Sequence, residues 1–413
     1  MKNKLTQLEK SWILYDVGNS AFTLLITTIV PIYFNYLCTT AGLDEVSYLA
    51  YWGYAASITT IIVVFIGPIF GAIADTKGFK KPLFSLFLAI GAVGCISLGL
   101  STSWIIFLVI FVIAKVGYQS SLIFYDAMLP DVTEEERMDN VSSQGYAWGY
   151  IGSCIPFVLC LVVVLGNETI GISMSQAMMI AFFIVALWWI LLTTPLLKNY
   201  KQLHYVEKEE HAIRKSFSRL KTTFLSMSKD KRILFFIIAY FFYIDGVYTI
   251  IDMATAYGTA LGLDTTGLLL ALLLTQVVAF PAAITFGKLS SKYASEKLIF
   301  GCIIAYTCIT VFAMLMSKQI HFWILAVAVG LFQGGIQALS RSHFAKLIPS
   351  EKSGEYFGIL DICGKGASFM GTALVGITTQ ISGSTSLGVG ILVIVFALGM
   401  ITFLMSLKVQ KEA

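Results

Sequence analysis

Apolar residues in this 413-residue chain come in long runs, separated by short polar stretches. Runs of roughly 18 residues or more can cross about 30 Å of hydrocarbon at 1.5 Å per residue. Such runs begin near Trp12, Ser47, Pro82, Ser103, Ser143, Ser175, Ile233, Thr265, Lys297, His321, Glu355 and Ser386. A segment in lipid has no water for its backbone and must be helical. The pattern therefore predicts an all-α membrane protein with twelve transmembrane helices.

Composition agrees. Hydrophobic residues make up 57% of the chain and charged residues 13%, about half the charge of a soluble domain. The charges also fix a direction. Of 28 Lys and Arg, Lys115 and Lys365 lie inside apolar runs and Lys318 lies in a loop on the far side, while the others share one side. By the positive-inside rule that side is cytoplasmic, which puts both termini in the cytoplasm of a cell whose plasma (inner) membrane holds the chain. The basic start runs straight into a full-length span, so no cleaved leader is expected. The net charge of +4 reflects these loops and contact with anionic lipid, not a nucleic-acid partner.

One long polar segment interrupts the spans. Residues 198–232 carry charges of both signs with no Gly or Pro, and predict a helical linker along the membrane surface. It divides the chain into bundles of six spans at 1–197 and 233–413. The halves echo each other. GAIADTKGFKK, Gly71 to Lys81, matches GKLSSKYASEK, Gly287 to Lys297, and Ala127, Leu129, Pro130 recurs as Ala345, Leu347, Pro349. A parallel six-span repeat is the arrangement of major facilitator transporters, whose substrate site lies between two pseudo-symmetric halves near the midplane.

Six ionisable residues fall within the runs: Asp16, Lys115, Asp245, Asp252, Asp361 and Lys365. Facing lipid they would cost on the order of 15–20 kcal/mol together, so they pair or line a water-filled path. Asp361 and Lys365 are four residues apart and share a helix face. Two lysines neutralise two of the four carboxylates, and an unmatched buried acid becomes able to carry a proton. Asp245, with Asp16 or Asp361 as a second site, is the candidate for proton coupling. A static ion-pair network is the alternative. Lys115 and Lys365 suit an anionic group and Asp245 an ammonium, a cradle for an amino acid, a small peptide or, with two lysines, a dianion. Tyr118, Gln119, Tyr243, Gln333 and Gln337 are neighbouring candidates for substrate contact, although residues of these types serve helix packing more often in a chain with 14% aromatic residues. Asp126 and Arg341, at matching ends of the fourth and tenth spans, can close the cytoplasmic mouth by meeting across the halves.

Tyr15, Asp16, Asn19, Ser20, Ala21 and Phe22, with Pro31 and Tyr33, resemble the entry signature of the autophagy-linked vacuolar amino-acid effluxer family of the major facilitator superfamily. So do FYDAMLP (Phe124 to Pro130), SSQGYAWG (Ser142 to Gly149), Asp245–Gly246 and GGIQALSRS (Gly334 to Ser342). The resemblance implies twelve helices and secondary transport, with amino acids as cargo of the fungal members. ADTKGFKK also resembles the superfamily's gating motif. That likeness implies that Asp75 contacts the start of the eleventh helix, with Gly78 at the turn and Lys80 and Lys81 as the basic pair, one position later than usual; Thr76 stands where an arginine is common.

No cofactor or metal is expected. The chain has no HExxH, no Walker A loop and no Ser, His, Asp set, and its seven cysteines have no zinc or disulfide spacing. An enzyme or a non-transporting sensor is the rival class. The partners expected are a small-molecule substrate, a coupling ion such as the proton, and lipid.

Overall fold

The computed structural model describes residues 4–207, 222–223 and 225–412, without the side chains at 45–46, 49, 255–256, 259–260, 265–266, 269, 365–369 and 410–412. Twelve long helices follow in order among the described residues. They are α1 (Gln7–Thr40), α2 (Glu45–Ala74), α3 (Lys80–Leu100), α4 (Trp104–Ala127), α5 (Met138–Leu165), α6 (Met174–Asn199), α7 (Lys231–Ala260), α8 (Thr265–Leu289), α9 (Ser295–Met314), α10 (Gln319–Leu347), α11 (Ser353–Ser382) and α12 (Thr385–Glu412). Eleven are long and apolar enough to cross a membrane by length and composition. The twelfth, α11, is 30 residues long and carries Glu355, Asp361 and Lys365. The expected starts hold to within a few residues.

Local chemistry sets several boundaries. Thr6 and Glu9 form a reciprocal capping box at the start of α1. Within α1 one widened turn, Leu25–Ile29, precedes Pro31, whose missing N–H and ring disfavour a regular turn there. At the end away from the termini, the sequence Gly-Leu-Asp occurs twice, at 42–44 and 262–264. Gly42 (φ 77°) and Gly262 (φ 73°) stop α1 and α7. Asp44 and Asp264 then cap α2 and α8, accepting from the Ser47 and Gly267 N–H at 2.8 and 2.7 Å.

The packing repeats as well. In the first half α1 lies on α5 and α6, α3 on α4 and α6, and α2 on α4. In the second α7 lies on α11 and α12, α9 on α10 and α12, and α8 on α10. Tyr15 of α1 bonds Ser121 of α4, and Tyr243 of α7 bonds Ser340 of α10, each O···O distance 2.7 Å. Across the halves α11 packs on α2 and α4, and α5 packs on α8 and α10. Small residues permit the α2–α11 crossing, since lipid supplies no hydrophobic drive between helices. Gly67 faces Gly358, and Gly71 lies against the Gly354 carbonyl so closely that a Cβ would collide with it. Large apolar side chains such as Phe65, Val93, Leu165 and Ile381 cover the outside.

The linker corrects one expectation. Residues 201–207 are not helical: they lie along the α2–α3 loop, with Val206 bridged to Thr76. The expected helix at 208–221 lies outside the described residues. Backbone partners in a neighbouring loop outweigh the local preference for helix.

Candidate functional site

Hydrogen bonds and ion pairs between the halves, among the described residues, gather at the end carrying the termini. Arg341 of α10 makes the most of them. Its Nε donates to Ser142 Oγ (2.9 Å), Nη2 to the Ser142 carbonyl (3.0 Å) and Asp16 Oδ2 (3.4 Å), and Nη1 to Asp126 Oδ1 (3.1 Å) and Asp16 Oδ2 (3.4 Å). The rings of Tyr146, Trp12 and Tyr125 surround the guanidinium at 4.4, 4.6 and 5.5 Å. Trp12 is itself held by its indole N–H on the Tyr125 carbonyl (3.0 Å) and by stacking on that ring. The side chains of Arg341 and Asp16 keep 6% and 9% exposure and that of Asp126 29%. A planar fork on carboxylates between aromatic faces is chemistry that arginine performs and lysine does not. Because α10 continues to Leu347, Arg341 is a buried helix residue, and the tally of buried charges made from apolar runs alone omits both it and Asp126. Asp16, expected near the end of the first span, is one of its partners.

A second junction joins the α2–α3 loop to α11. Asp75 accepts the Gly354 and Glu355 N–H, both at 2.8 Å, on the unsatisfied first turn of that helix. Burial pushes the Asp75 carboxyl up to about 7, opposed by Lys80 and by the two N–H donors, with Glu355 adding to the rise. Lys80, wholly buried, reaches Asp131 (3.4 Å), Asp75 (3.9 Å), Ser353 Oγ (2.9 Å) and the Ala127 carbonyl (3.2 Å). Lys81 is half-buried. Asp131 also receives the Tyr200 hydroxyl (2.5 Å), the Leu203 and His204 N–H (3.1 and 2.8 Å) and lies 2.9 Å from His204 Nδ1. Gln202 takes the Gly78 N–H (2.9 Å) and donates to the Ala74 carbonyl (3.0 Å). Gly78 turns there with φ 81°, a conformation glycine adopts without strain. On the far side of the linker, Thr223 donates to Glu355.

The third junction is at the α8–α9 loop. Asp139 of α5 accepts from Ser295 (2.5 Å), Ser342 (2.6 Å) and Lys346 (2.8 Å). Ser142 donates to the Ala338 carbonyl (2.7 Å) one turn deeper. Tyr150 to Gln337 (3.0 Å) is the deepest cross-half hydrogen bond among the described residues.

The remaining candidates are dispersed. Asp245 of α7 is fully buried against α11: Oδ1 accepts the Gly371 N–H (2.8 Å) and faces Thr249 (3.5 Å), and Oδ2 has no partner. Lys115 is half-buried over the Phe111 ring at 5.5 Å, and no ion pair joins it to Asp245. The side chain of Lys365, the third member of the expected trio, lies outside the described residues. Tyr118 donates to or accepts from Thr23 (2.6 Å), within the first half, and Tyr243 is occupied by Ser340. Gln333 is buried and Gln337 half-buried beside Tyr150. The Gln119 carbonyl oxygen is buried without a partner. Asp361 is half-buried.

Sequence reasoning missed Trp12, Tyr146, Ser142, Asp131, Asp139, Tyr200 and Gln202. Ser142 and Tyr146 stood within the SSQGYAWG segment of the family resemblance, and Asp131 and Asp139 are acids flanking the short α4–α5 connection.

Known proteins bear on this arrangement. A family model described as "Vacuole effluxer Atg22 like" matches residues 6–413. The MFS-type transporter YxiO of Bacillus subtilis (strain 168) is 42% identical over 406 residues, covering 97% of this chain and 95% of its own. Autophagy-related protein 22 of Vanderwaltozyma polyspora is 23% identical over 81% of this chain and 73% of its own. Among solved structures, the major facilitator transporter FucP in its outward conformation superposes with a TM-score of 0.71 at 16% identity, over 97% of both chains. The human organic anion transporter MFSD10 gives 0.68 at 13% identity, over 96% of this chain and 98% of that one.

Proposed function

This chain belongs to the Atg22-like effluxer family and has the major facilitator fold, and from that premise we propose that it moves a small polar solute by alternating access, coupled to protons. The solute class is an amino acid or a related zwitterion or organic anion. The observation that carries this reading is the one-sided closure. Junctions at Arg341, Asp75 and Asp139 close the terminal end, and Tyr150–Gln337 lies deepest of the cross-half hydrogen bonds among the described residues. With the basic loops at that end, the positive-inside rule makes it cytoplasmic, and the conformation outward-facing in a plasma membrane. The bundles 1–197 and 233–413 then rock about the α2–α11 and α5–α8 crossings.

Asp75, Gly78, Lys80, Lys81, Asp126 and Arg341 serve the cytoplasmic gate. Gln333 and Gln337, beside Tyr150 at the floor of the closure, are the best placed of the substrate candidates; Lys115, Lys365, Tyr118, Gln119 and Tyr243 follow. Asp245 remains a proton carrier by virtue of its unpartnered, buried Oδ2, with Asp16 or Asp361 as the second site. The test is counterflow of labelled amino acids and small organic acids in proteoliposomes of purified protein, with and without an inward-acid gradient. Gradient-driven accumulation of one class is expected, lost in Asp245→Asn while counterflow persists. No movement of any solute over empty liposomes would overturn the reading.

A further inference from the structure

We propose that Asp245 is a positioning residue for α11: by drawing on the Gly371 N–H it fixes the upper part of that helix to α7, and leaves the stretch below free to flex when the mouth opens. This rests on the alternating-access reading above and gives Asp245 a task besides proton carriage.

Three observations carry it. First, α11 is fastened to both halves. Its foot, residues 353–360 at the terminal end, is held by the first half. Ser353 lies between Lys80 and the Ala127 carbonyl (2.9 and 2.8 Å), the Gly354 and Glu355 N–H donate to Asp75, and Gly354 and Gly358 lie against the α2 backbone at Gly71 and Gly67. Its own half and the linker reach the foot through Phe344 on Phe357 and Thr223 on Glu355. The close approaches of the upper part are to its own half, Gly371 against Asp245 and Thr249 of α7 and Thr379 against Gly388 of α12. When the halves part at this end, a helix fastened to both must yield between its fastenings or tear one loose.

Second, the anchor is more than packing. The Tyr15–Ser121 and Tyr243–Ser340 bonds align α1 with α7 in the repeat, so that Val17, two residues on, is the equivalent of Asp245. Val17 packs on Gly152 of α5 as Asp245 packs on Gly371 of α11, each so closely that a Cβ on the glycine would collide. An apolar knob therefore suffices to close this contact. In the second half a wholly buried carboxylate stands there and takes a main-chain N–H (2.8 Å) that in a regular helix serves the carbonyl four residues back. A side chain inserted into that ladder is one of the places where helices bend.

Third, the stretch between foot and anchor contains a glycine that packing does not require. A Cβ at Gly364 would meet the Tyr240 side chain at 3.6 Å, an ordinary contact, whereas Gly354, Gly358 and Gly371 leave no room for one. Glycine lowers the stability of a helix interior relative to alanine, so what it supplies at 364 is compliance.

The experiment is amide hydrogen exchange along α11, read by mass spectrometry on the purified full-length protein with no solute added. In the parent, residues 361–371 should exchange faster than the foot. Gly364→Ala, which fits the space, should slow that exchange about fivefold, while Gly376→Ala, with open space around its Cβ, should leave 361–371 as in the parent. Asp245→Val copies the contact of the first half and returns the Gly371 N–H to the ladder, so it should slow 361–371 as well. Asp245→Asn keeps an oxygen that accepts the N–H and should match the parent. In proteoliposomes, counterflow should persist in Asp245→Asn and slow in Asp245→Val and Gly364→Ala. Protection of 361–371 equal to that of the foot in the parent, equal exchange there in Gly364→Ala and Gly376→Ala, or parent-like exchange in the folded Asp245→Val variant overturns the proposal; should Asp245→Val not fold, the two glycine variants decide it. Liposomes inert to every solute would instead remove the transport reading, and the exchange result would stand.

Discussion

The α2–α3 and α8–α9 loops occupy equivalent places in the two halves and lock the mouth with opposite chemistry. In the first, the loop supplies the carboxylate: Asp75 reaches across to bare N–H groups of α11. In the second, the receiving helix supplies it: Asp139 of α5 takes Ser295 at the start of α9, just after the α8–α9 loop, with Ser342 and Lys346 of α10. The repeat preserves the backbone path and its close approaches, Gly71 on Gly354 and Gly287 on Ser143, but leaves the sign of the contact free. A loop carboxylate on a helix N-terminus is deeply buried and needs Lys80, Asp131 and residues 200–207 behind it. A helix carboxylate facing serines and a lysine that is 20% exposed needs no such backing.

The contrast is sharpest on deletion. Asp75→Ala strands two N–H groups and leaves Lys80 with Asp131 as its one carboxylate among the described residues, and should weaken closure by about 3 kcal/mol, seen as cytoplasmic cysteine reagents gaining access to the cleft. Asp139→Ala should cost about half as much, because Lys346 can turn to water. Equal losses would show that the two locks do not differ in burial.

Next in size are the close approaches. Gly71→Ala drives a Cβ into the Gly354 backbone, which has no rotamer to yield, and should cost about 1–3 kcal/mol in thermal stability of the closed form. Gly287→Ala meets the Ser143 Cβ at 2.8 Å and should cost less.

The loops should also differ in pH response. Asp75 sits near 7 in the closed mouth, against about 3.9 for a free aspartate. Its closed state is the better proton binder, so its contribution to closure is complete below about pH 4 and is lost as pH rises through about 7. Asp75→Asn should flatten that part of the profile. Gln202→Ala, which removes two hydrogen bonds from the first loop, should lower the thermal midpoint by a change worth about 1–2 kcal/mol. Lys77→Ala breaks the exposed contacts to Glu207, 52% and 71% accessible, and to the Tyr205 ring at 4.7 Å, and should shift the same midpoint least of all, because solvent screens such pairs.

Parts of this were legible in advance. Apolar run length alone placed the spans. The Gly71–Lys81 repeat led to both loops, and the family resemblance led to Asp75 and the start of α11. The meeting of Asp126 with Arg341 followed from their matching helix ends. Asp16 joining them did not, because depth along a helix says nothing about which way a side chain points. The Gly-Leu-Asp pair at 42–44 and 262–264 was a repeat signal in plain view, hidden by its place in short loops. Residues 201–207 of the polar stretch after α6 depart from the expected helix, since composition cannot reveal that Asp131 and the Gly78 N–H await them, while 225–229 are helical.

By itself the chain determined what lipid physics demands: helical spans and their number. Those follow from local composition because a bare backbone or a lysine in hydrocarbon is costly wherever it falls. Which carboxylate meets which cation was decided only in three dimensions. Arg341 and its partners in α1, α4 and α5 are brought together by the azimuth of four helices, a property of packing that no stretch of sequence contains.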